Sequence, residues 1–321
     1  MTSRNIYEQQ AANKRNTLVV MILFGLFLGF LGWGFDVYFF HYGHRGLPIP
    51  ITTIVALGFG IWCAFWSLQR GSDTVLSSSD AQPVGDNDPK YQVLRDVTEE
   101  MAIASGLPKP RLYVIPDPDL NAFATGKDPE HASIAVTEGL LEKLNREELQ
   151  GVVAHEMGHV RNYDIRMMTV VAALVGAVML ISEVGLRSGR FGFGGRKGSS
   201  SRSSGGIVFL VLWIASLVLA PVIARILAMA VSRNREYLAD ASGAELTRNP
   251  HALASALKKI DAAVEPTKSI KKGTASLCIA DPLGRPINGK DGFFAELFGT
   301  HPPIDKRIML LYAMSYQHAS R

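Results

Sequence analysis

Cysteine is almost missing from this chain, with two in 321 residues. Cys63 lies inside an apolar run and Cys278 in a distant polar region, so no disulfide framework is expected, and a reducing compartment suits the water-soluble part. Also missing is any basic patch interleaved with aromatics. A net charge of +4 therefore does not point to nucleic acid. Charge is scarcest in four long apolar stretches, which excludes an ordinary water-soluble globule. Hydrophobic residues make up 47% of the chain and mean hydropathy is +0.13. Because the excess is concentrated in those four stretches, the composition is that of an integral membrane protein with a modest water-soluble part.

The four stretches are Thr17 to Phe35, Ile51 to Leu68, roughly Met167 to Ser182, and Ile207 to Ala224, the last interrupted near its end by Pro221. The first carries no charge and approaches the ~20 residues that cross a bilayer. It is longer than the apolar core of a signal peptide, and no small-residue cleavage pattern follows Phe35, so it reads as an anchor. With the short link "DVYFFHYGHRGLPIP" it forms a hairpin with the second stretch, Gly25 and Gly29 serving close packing within the chain. A polar linker is expected from Gly71 to Asp88. Beyond it, "QVLRDVTEEMAIASG" reads as an amphipathic helix ended by Gly106, and "RLYVIP", "NAFATG" and "SIAVTEGL" as short strands. Asn145 with Glu148 three residues on forms a capping box that opens another helix. After Val231 the chain is polar and mostly helical, except for the loop "ADPLGRPINGKDGFFAELFGTHPP".

The helix opened by Asn145 carries "GVVAHEMGHVRNYD", residues 151–164. Residues four apart share one helical face, so His155 and His159 can both turn a ring nitrogen to one ion. Zinc accepts imidazole readily, and a catalytic zinc site takes three protein ligands and leaves a place for water. Glu156, beside the first histidine, is placed to accept a proton from that water without binding the metal. In a chain of this composition the pattern arises by chance roughly 0.01 times. The competing reading is a helix whose histidines merely hydrogen-bond.

A third ligand has to come from elsewhere. In "SRNREYLADASGAEL", Glu236 and Asp240 stand four apart on one helical face. Glu236 would complete a His-His-Glu set, and Asp240 would hold a ligand histidine through its other ring nitrogen. The alternative is a solvated helix on which these carboxylates pair with Arg233 and Arg235.

"AHEMGHVRNYD", "SRNREYLADASGAELT" and "THPPIDKRI", with four apolar runs in this order, resemble the HtpX-type membrane metalloproteases, gluzincins related to the CaaX-processing proteases. The resemblance covers almost the whole chain. It implies an α+β membrane protein, mainly α-helical, with four transmembrane helices and a cytoplasmic zincin-like catalytic domain containing a small β-sheet. It also implies one zinc ion per chain, bacterial inner-membrane residence, and peptide-bond cleavage in damaged or misfolded membrane proteins. Its motifs map to His155, Glu156 and His159, to Glu236 and Asp240, and to the element of His301, Pro302 and Arg307. In this reading His301 donates to the developing oxyanion and Arg307 holds it or a nearby carboxylate. Residues Asn121, Ala122, Phe123 and Ala124 are expected to offer an exposed strand edge that an extended substrate joins. The glycine- and serine-rich tract of residues 187–206 departs from the family's pattern.

Topology follows from the ligand set. If Glu236 shares an ion with His155 and His159, an even number of crossings separates them, so residues 165–231 form a second hairpin. The expected organisation is a hairpin over 1–70, a first catalytic part over 71–164, the second hairpin, and a second catalytic part over 232–321. Arg4, Lys14 and Arg15 precede the first run, whereas only Arg45 is a permanent cation in the link, so the N-terminus and the catalytic part should face the cytoplasm. The cations of the tract, Arg187, Arg190, Arg196, Lys197 and Arg202, would then be exported, unless the short third run stops before crossing and keeps them at the inner headgroups. A metal transporter would place ionisable groups inside the spans. Here Arg166, Glu183 and Arg225 stand only at their edges, which disfavours that reading.

Overall fold

The computed structural model describes residues 6–37, 49–177, 234–263, 277–279 and 302–319. The fourth apolar run, the tract over 187–206 and His301 lie outside these, and the second hairpin is described only as far as residue 177.

Two long helices come first, α1 (Ile6–Asp36) and α2 (Ile51–Ser78). Both are long and apolar enough to cross a membrane, their most apolar 18-residue windows having mean hydropathies of 2.2 and 1.8. Their outer faces present Leu18, Ile22, Leu26, Phe30, Trp62, Phe65 and Trp66, side chains that a hydrocarbon phase accepts and water does not. Their inner faces meet closely. A Cβ on Gly29 would lie 2.4 Å from the Leu57 side chain, and one on Gly32 would lie 2.6 Å from the Thr52 carbonyl. Asp36 closes the hairpin by accepting hydrogen bonds from the Thr52 and Thr53 amides at 3.0 and 2.7 Å, which caps the start of α2.

The linker expected over 71–88 is half helix. α2 continues to Ser78, its hydroxyls kept from competing for the chain by bonding back onto the preceding turn: Thr74 donates to the Arg70 carbonyl, Ser77 to Asp73 and Ser78 to Val75. Val75 and Leu76 are buried there, so packing overrides the polar composition.

The three expected strands form, joined by a two-residue strand. The sheet order is β1 (Gln82–Pro83), β2 (Arg111–Ile115), β4 (Ser133–Thr137), β3 (Ala122–Thr125), with β2 and β4 parallel and the two outer pairings antiparallel. Between β1 and β2 runs α3 (Gln92–Ser105), ended as expected by Gly106 at φ +67°. Successive strand residues point to opposite faces. On one face Val114, Ala122, Ala124, Ile134 and Val136 pack with Leu94, Val97 and Met101 of α3 and with the helices that follow. On the other, Ile115, Phe123 and Ala135 belong to one cluster with Val20, Phe24 and Leu28 of α1, Val75 and Leu76 of α2, and Met167, Met168 and Val171. The sheet is thus a partition between the helices that carry the histidine motif and the α1–α2 hairpin.

After β4 come α4 (Glu138–Lys143), α5 (Arg146–Arg161), a helix α6 over 164–177, then α7 (Asn234–Thr247), α8 (Pro250–Asp261) and α9 (Ile304–Ala319). The capping box at the start of α5 is formed: Asn145 accepts from the Glu148 amide, and the Glu148 carboxylate accepts from the Asn145 amide, both at 2.9 Å. Glu148 also receives Ser255 Oγ at 2.6 Å and Lys259 Nζ at 2.7 Å, which ties α8 to α5. Burial alone would raise the Glu148 pKa, but the bonds from Lys259, Ser255 and Asn145 outweigh it and hold the carboxyl below its ordinary value. A depressed folded-state pKa means stability that is present above the ordinary carboxylate range and lost as pH falls through the folded value. Thermal unfolding of Glu148→Gln should therefore lie below that of the unaltered chain at pH 7, the gap closing as pH drops below about 4. A gap of constant size across that range would show that the charge contributes nothing.

Candidate metal centre

α5 carries its motif into the interior, where every residue from Gly151 to Val160 is buried. Opposite it lies α7, and small residues set the distance between them. A Cβ on Gly158 would stand 3.2 Å from Ala239 Cα, and one on Gly243 would stand 3.1 Å from the His155 amide nitrogen. That approach puts Glu236 and Asp240, one turn apart on α7, against the histidine face of α5.

The rings of His155 and His159 lie 4.8 Å apart at 88°. Their Nε2 atoms face one carboxylate, His155 Nε2 at 3.8 Å from Glu236 Oε2 and His159 Nε2 at 3.6 Å from Glu236 Oε1. These gaps exceed a hydrogen bond. They are close to the ~3.4 Å that separates ligand atoms around one tetrahedral zinc, given bond lengths of about 2.0–2.2 Å. One ligand atom from each of His155, His159 and Glu236 falls within 4.8 Å of the others, and all three residues are buried. Glu156 Oε2 is buried and has no hydrogen-bond partner among the described residues, as a group kept for a reacting species would be. The donor set, its spacing and this unpartnered oxygen fit a zinc ion.

Each histidine is oriented from behind. Asp240 Oδ1 lies 2.9 Å from His155 Nδ1, and Asp164 Oδ2 lies 3.1 Å from His159 Nδ1. These contacts leave each Nε2 lone pair for an ion. Asp240 is braced in turn by Arg307, whose Nε and Nη2 donate to its two oxygens at 2.8 and 2.7 Å while Nη1 donates to the Ile279 carbonyl at 3.0 Å.

Burial drives the Glu156 carboxyl up to about 7. Burial lowers the His155 pKa, so its contact with Asp240 is a hydrogen bond from a neutral ring rather than an ion pair. Burial also opposes charge on His159, but the Asp164 hydrogen bond and the charges of Glu236, Asp164 and Glu156 prevail and carry it up to about 9, so a metal binding at Nε2 would displace a proton there. For Asp240, burial is outweighed by the charge and hydrogen bonds of Arg307 and by His155, which hold it at about 2. This carboxylate-rich pocket favours a cation.

The family described as Peptidase family M48 matches residues 89–315, well over half of the chain. The chain belongs to peptidase family M48. This M48 peptidase is 44% identical over 317 residues to the protein named "Protease HtpX homolog" of Caldanaerobacter subterraneus subsp. tengcongensis, covering 98% of this chain and 100% of that one. It is 42% identical over 315 residues to the protein of the same name in Thermoanaerobacter pseudethanolicus, again covering 98% and 100%. A structure titled "Crystal Structure of S. mikatae Ste24p" is 18% identical with a TM-score of 0.48, covering 95% of this chain and 67% of that one. The protein is thus a metallopeptidase acting on peptides or proteins, with two helices apolar enough to lie in a membrane.

Four of the residues singled out in the sequence, His155, His159, Glu236 and Asp240, converge, with Glu156 beside them. Arg307 comes to Asp240 and so braces a carboxylate, while His301 lies outside the described residues. Arg235 does not form the solvated surface pair of the alternative reading. It is buried, with Nε 3.9 Å from Asp164 Oδ1. The edge expected at Asn121 to Ala124 differs in one respect. β3 is the outermost strand, yet Asn121, Ala122, Phe123 and Ala124 are all buried, and the Ala122 carbonyl already accepts the Ile279 amide at 2.9 Å. Asp164 escaped the sequence reading although it lies in the same motif stretch. Helical spacing directs attention to partners three or four residues away, whereas Asp164 is five from His159 and is folded back past Tyr163 at φ +58°.

Proposed function

We propose that this M48 peptidase is a zinc endopeptidase of the bacterial cytoplasmic membrane, with four spans and its catalytic half in the cytoplasm. The observation that supports it most is the convergence of His155, His159 and Glu236 beside the unpartnered Oε2 of Glu156. In this reading those three residues hold one zinc ion, and residues 1–70 and 165–231 are the membrane hairpins that flank the catalytic parts 71–164 and 232–321. The proposed substrates are damaged or misfolded membrane proteins, presented beside the bilayer in extended form.

Zinc, when bound there, supplies Lewis acidity to the scissile carbonyl and to the attacking water. The chain's own groups do the rest. Glu156 takes a proton from water on Oε2 and returns it to the leaving amine, a role suited to a carboxyl whose burial puts it near neutrality. Asp240 and Asp164 keep each imidazole in the Nδ1–H tautomer and hold the rings still. The outer edge of β3, with Asn121, Ala122, Phe123 and Ala124, is the proposed place where an extended substrate backbone joins. The donor to the developing oxyanion is assigned to His301, and Arg307 supports the centre through Asp240.

Detergent-purified protein should contain one zinc per chain by elemental analysis and cleave casein, with activity removed by a chelator and restored by zinc. Glu236→Ala should lose the metal. Undiminished zinc content in that variant would remove Glu236 from the ligand set.

A further inference from the structure

We propose that Asn13, on the membrane helix α1, is a positioning residue for the metal centre, holding the Asp164 carboxylate that orients His159. The inference rests on reading His159 as a metal ligand. It concerns what fixes that ligand from 146 residues upstream.

α1 does not stop where its apolar run begins. Its first three turns extend beyond the charge-free segment that starts at Thr17, and the helix is continuous from Ile6 to Asp36. Gln10, Asn13 and Lys14 stand three and four residues apart and so share one face. All three reach the end of α5. Gln10 Nε2 donates to the Arg161 carbonyl at 2.8 Å, and Asn13 Nδ2 donates to the Asn162 carbonyl at 2.9 Å. Lys14 Nζ lies 4.1 Å from the centre of the Tyr163 ring. The last carbonyls of a helix have no partner within it, and here α1 supplies the donors.

Asn13 does one thing its neighbours do not. The same Nδ2 donates to Asp164 Oδ1 at 2.6 Å, and the other oxygen, Oδ2, meets His159 Nδ1 at 3.1 Å. Asn13 is 5% exposed, and Asp164 is fully buried at 0%. Water therefore does not replace the amide. A buried carboxylate with one oxygen pinned has its plane fixed, and that plane sets the direction in which His159 presents Nε2 to Glu236. The chain of contacts runs from a helix in the membrane to a ligand atom through two side chains. Arg235, 3.9 Å from Asp164 Oδ1, adds charge to this carboxylate but no hydrogen bond of ordinary length. Directional control thus falls to Asn13.

The test is zinc affinity of the full-length chain in detergent, by equilibrium competition with a chromogenic chelator. Asn13→Ala should weaken zinc about tenfold, as loss of a group that orients a ligand does. Asn13→Leu keeps much of the volume while removing the amide, so it should weaken zinc equally even if the alanine variant folds poorly. Gln10→Ala, which removes a cap at the same seam without touching Asp164, should stay within about twofold. Asp164→Ala should weaken zinc at least as much as Asn13→Ala, and adding Asn13→Ala to it should cost nothing more. Unaltered affinity in both Asn13 variants would overturn the proposal. So would a full additional loss in the Asp164→Ala background, because Asn13 would then act on the fold and not through Asp164. An unaltered chain that binds no zinc would overturn the metal reading instead.

Discussion

Glu156→Gln is expected to lose casein cleavage by roughly 10²–10⁴-fold while its zinc content and thermal midpoint stay at those of the unaltered chain. The substitution exchanges one oxygen for an amide of nearly the same shape, so α5 and the ligands beside it have no reason to move. What goes is the ability to accept a proton. Glu156 is 1% exposed, Oε2 lacks a hydrogen-bond partner among the described residues, and burial has pushed the carboxyl up to about 7. Such a group stands near neutrality, where a base can also serve as an acid later in the same turnover. A ligand would behave otherwise, because its replacement would empty the site. Full proteolysis by Glu156→Gln would refute the role, and loss of zinc would make Glu156 a ligand and not a base.

The second large effect is expected at Arg307. Its side chain is 0% exposed and forks onto both oxygens of Asp240, which is 2% exposed. Removing one partner of a buried ion pair leaves the other charge without solvent or counter-charge. Arg307→Met should therefore cost about 3–5 kcal/mol, read as a lowered midpoint in chemical unfolding. Arg307→Lys should recover only part of this, because an ammonium cannot make two parallel bonds to one carboxylate. Asp240→Leu added to Arg307→Met should recover part of that stability, since the Asp240 charge is no longer left without its partner, while Glu236, 3.5 Å from Arg307, still loses a counter-charge and zinc weakens through loss of the contact to His155 Nδ1. If the single methionine variant unfolds with the unaltered chain, the pair does not hold α7 and α9 together.

These two residues also mark what the sequence discloses. Glu156 is legible because the chemistry fixes its spacing: two histidines one turn apart with a carboxylate beside the first. Arg307 is legible only as a member of a motif, and its partner is set by how α9 meets α7, on which local spacing is silent. The strands were legible from apolar runs between Pro, Asp and Gly, and α3 from its period and the glycine that ends it. The end of α2 was not, because serine, threonine and aspartate signal a loop wherever packing is ignored. Asp164 and Asn13 were hidden for a deeper reason. Their contacts span a left-handed turn in one case and about 150 residues in the other. Hydrogen bonds of that kind leave no period behind. The edge of β3 was found, but its burial depends on a segment, Leu277 to Ile279, that arrives from far along the chain.

The partition formed by the four-stranded sheet has a consequence for the protein's history. Ile115, Phe123 and Ala135 lean toward the hairpin, so the proteolytic half has no finished wall on that side. A lineage could not release this peptidase into water by trimming its leading helices alone. It would first have to rewrite every second residue of three strands in a wettable alphabet.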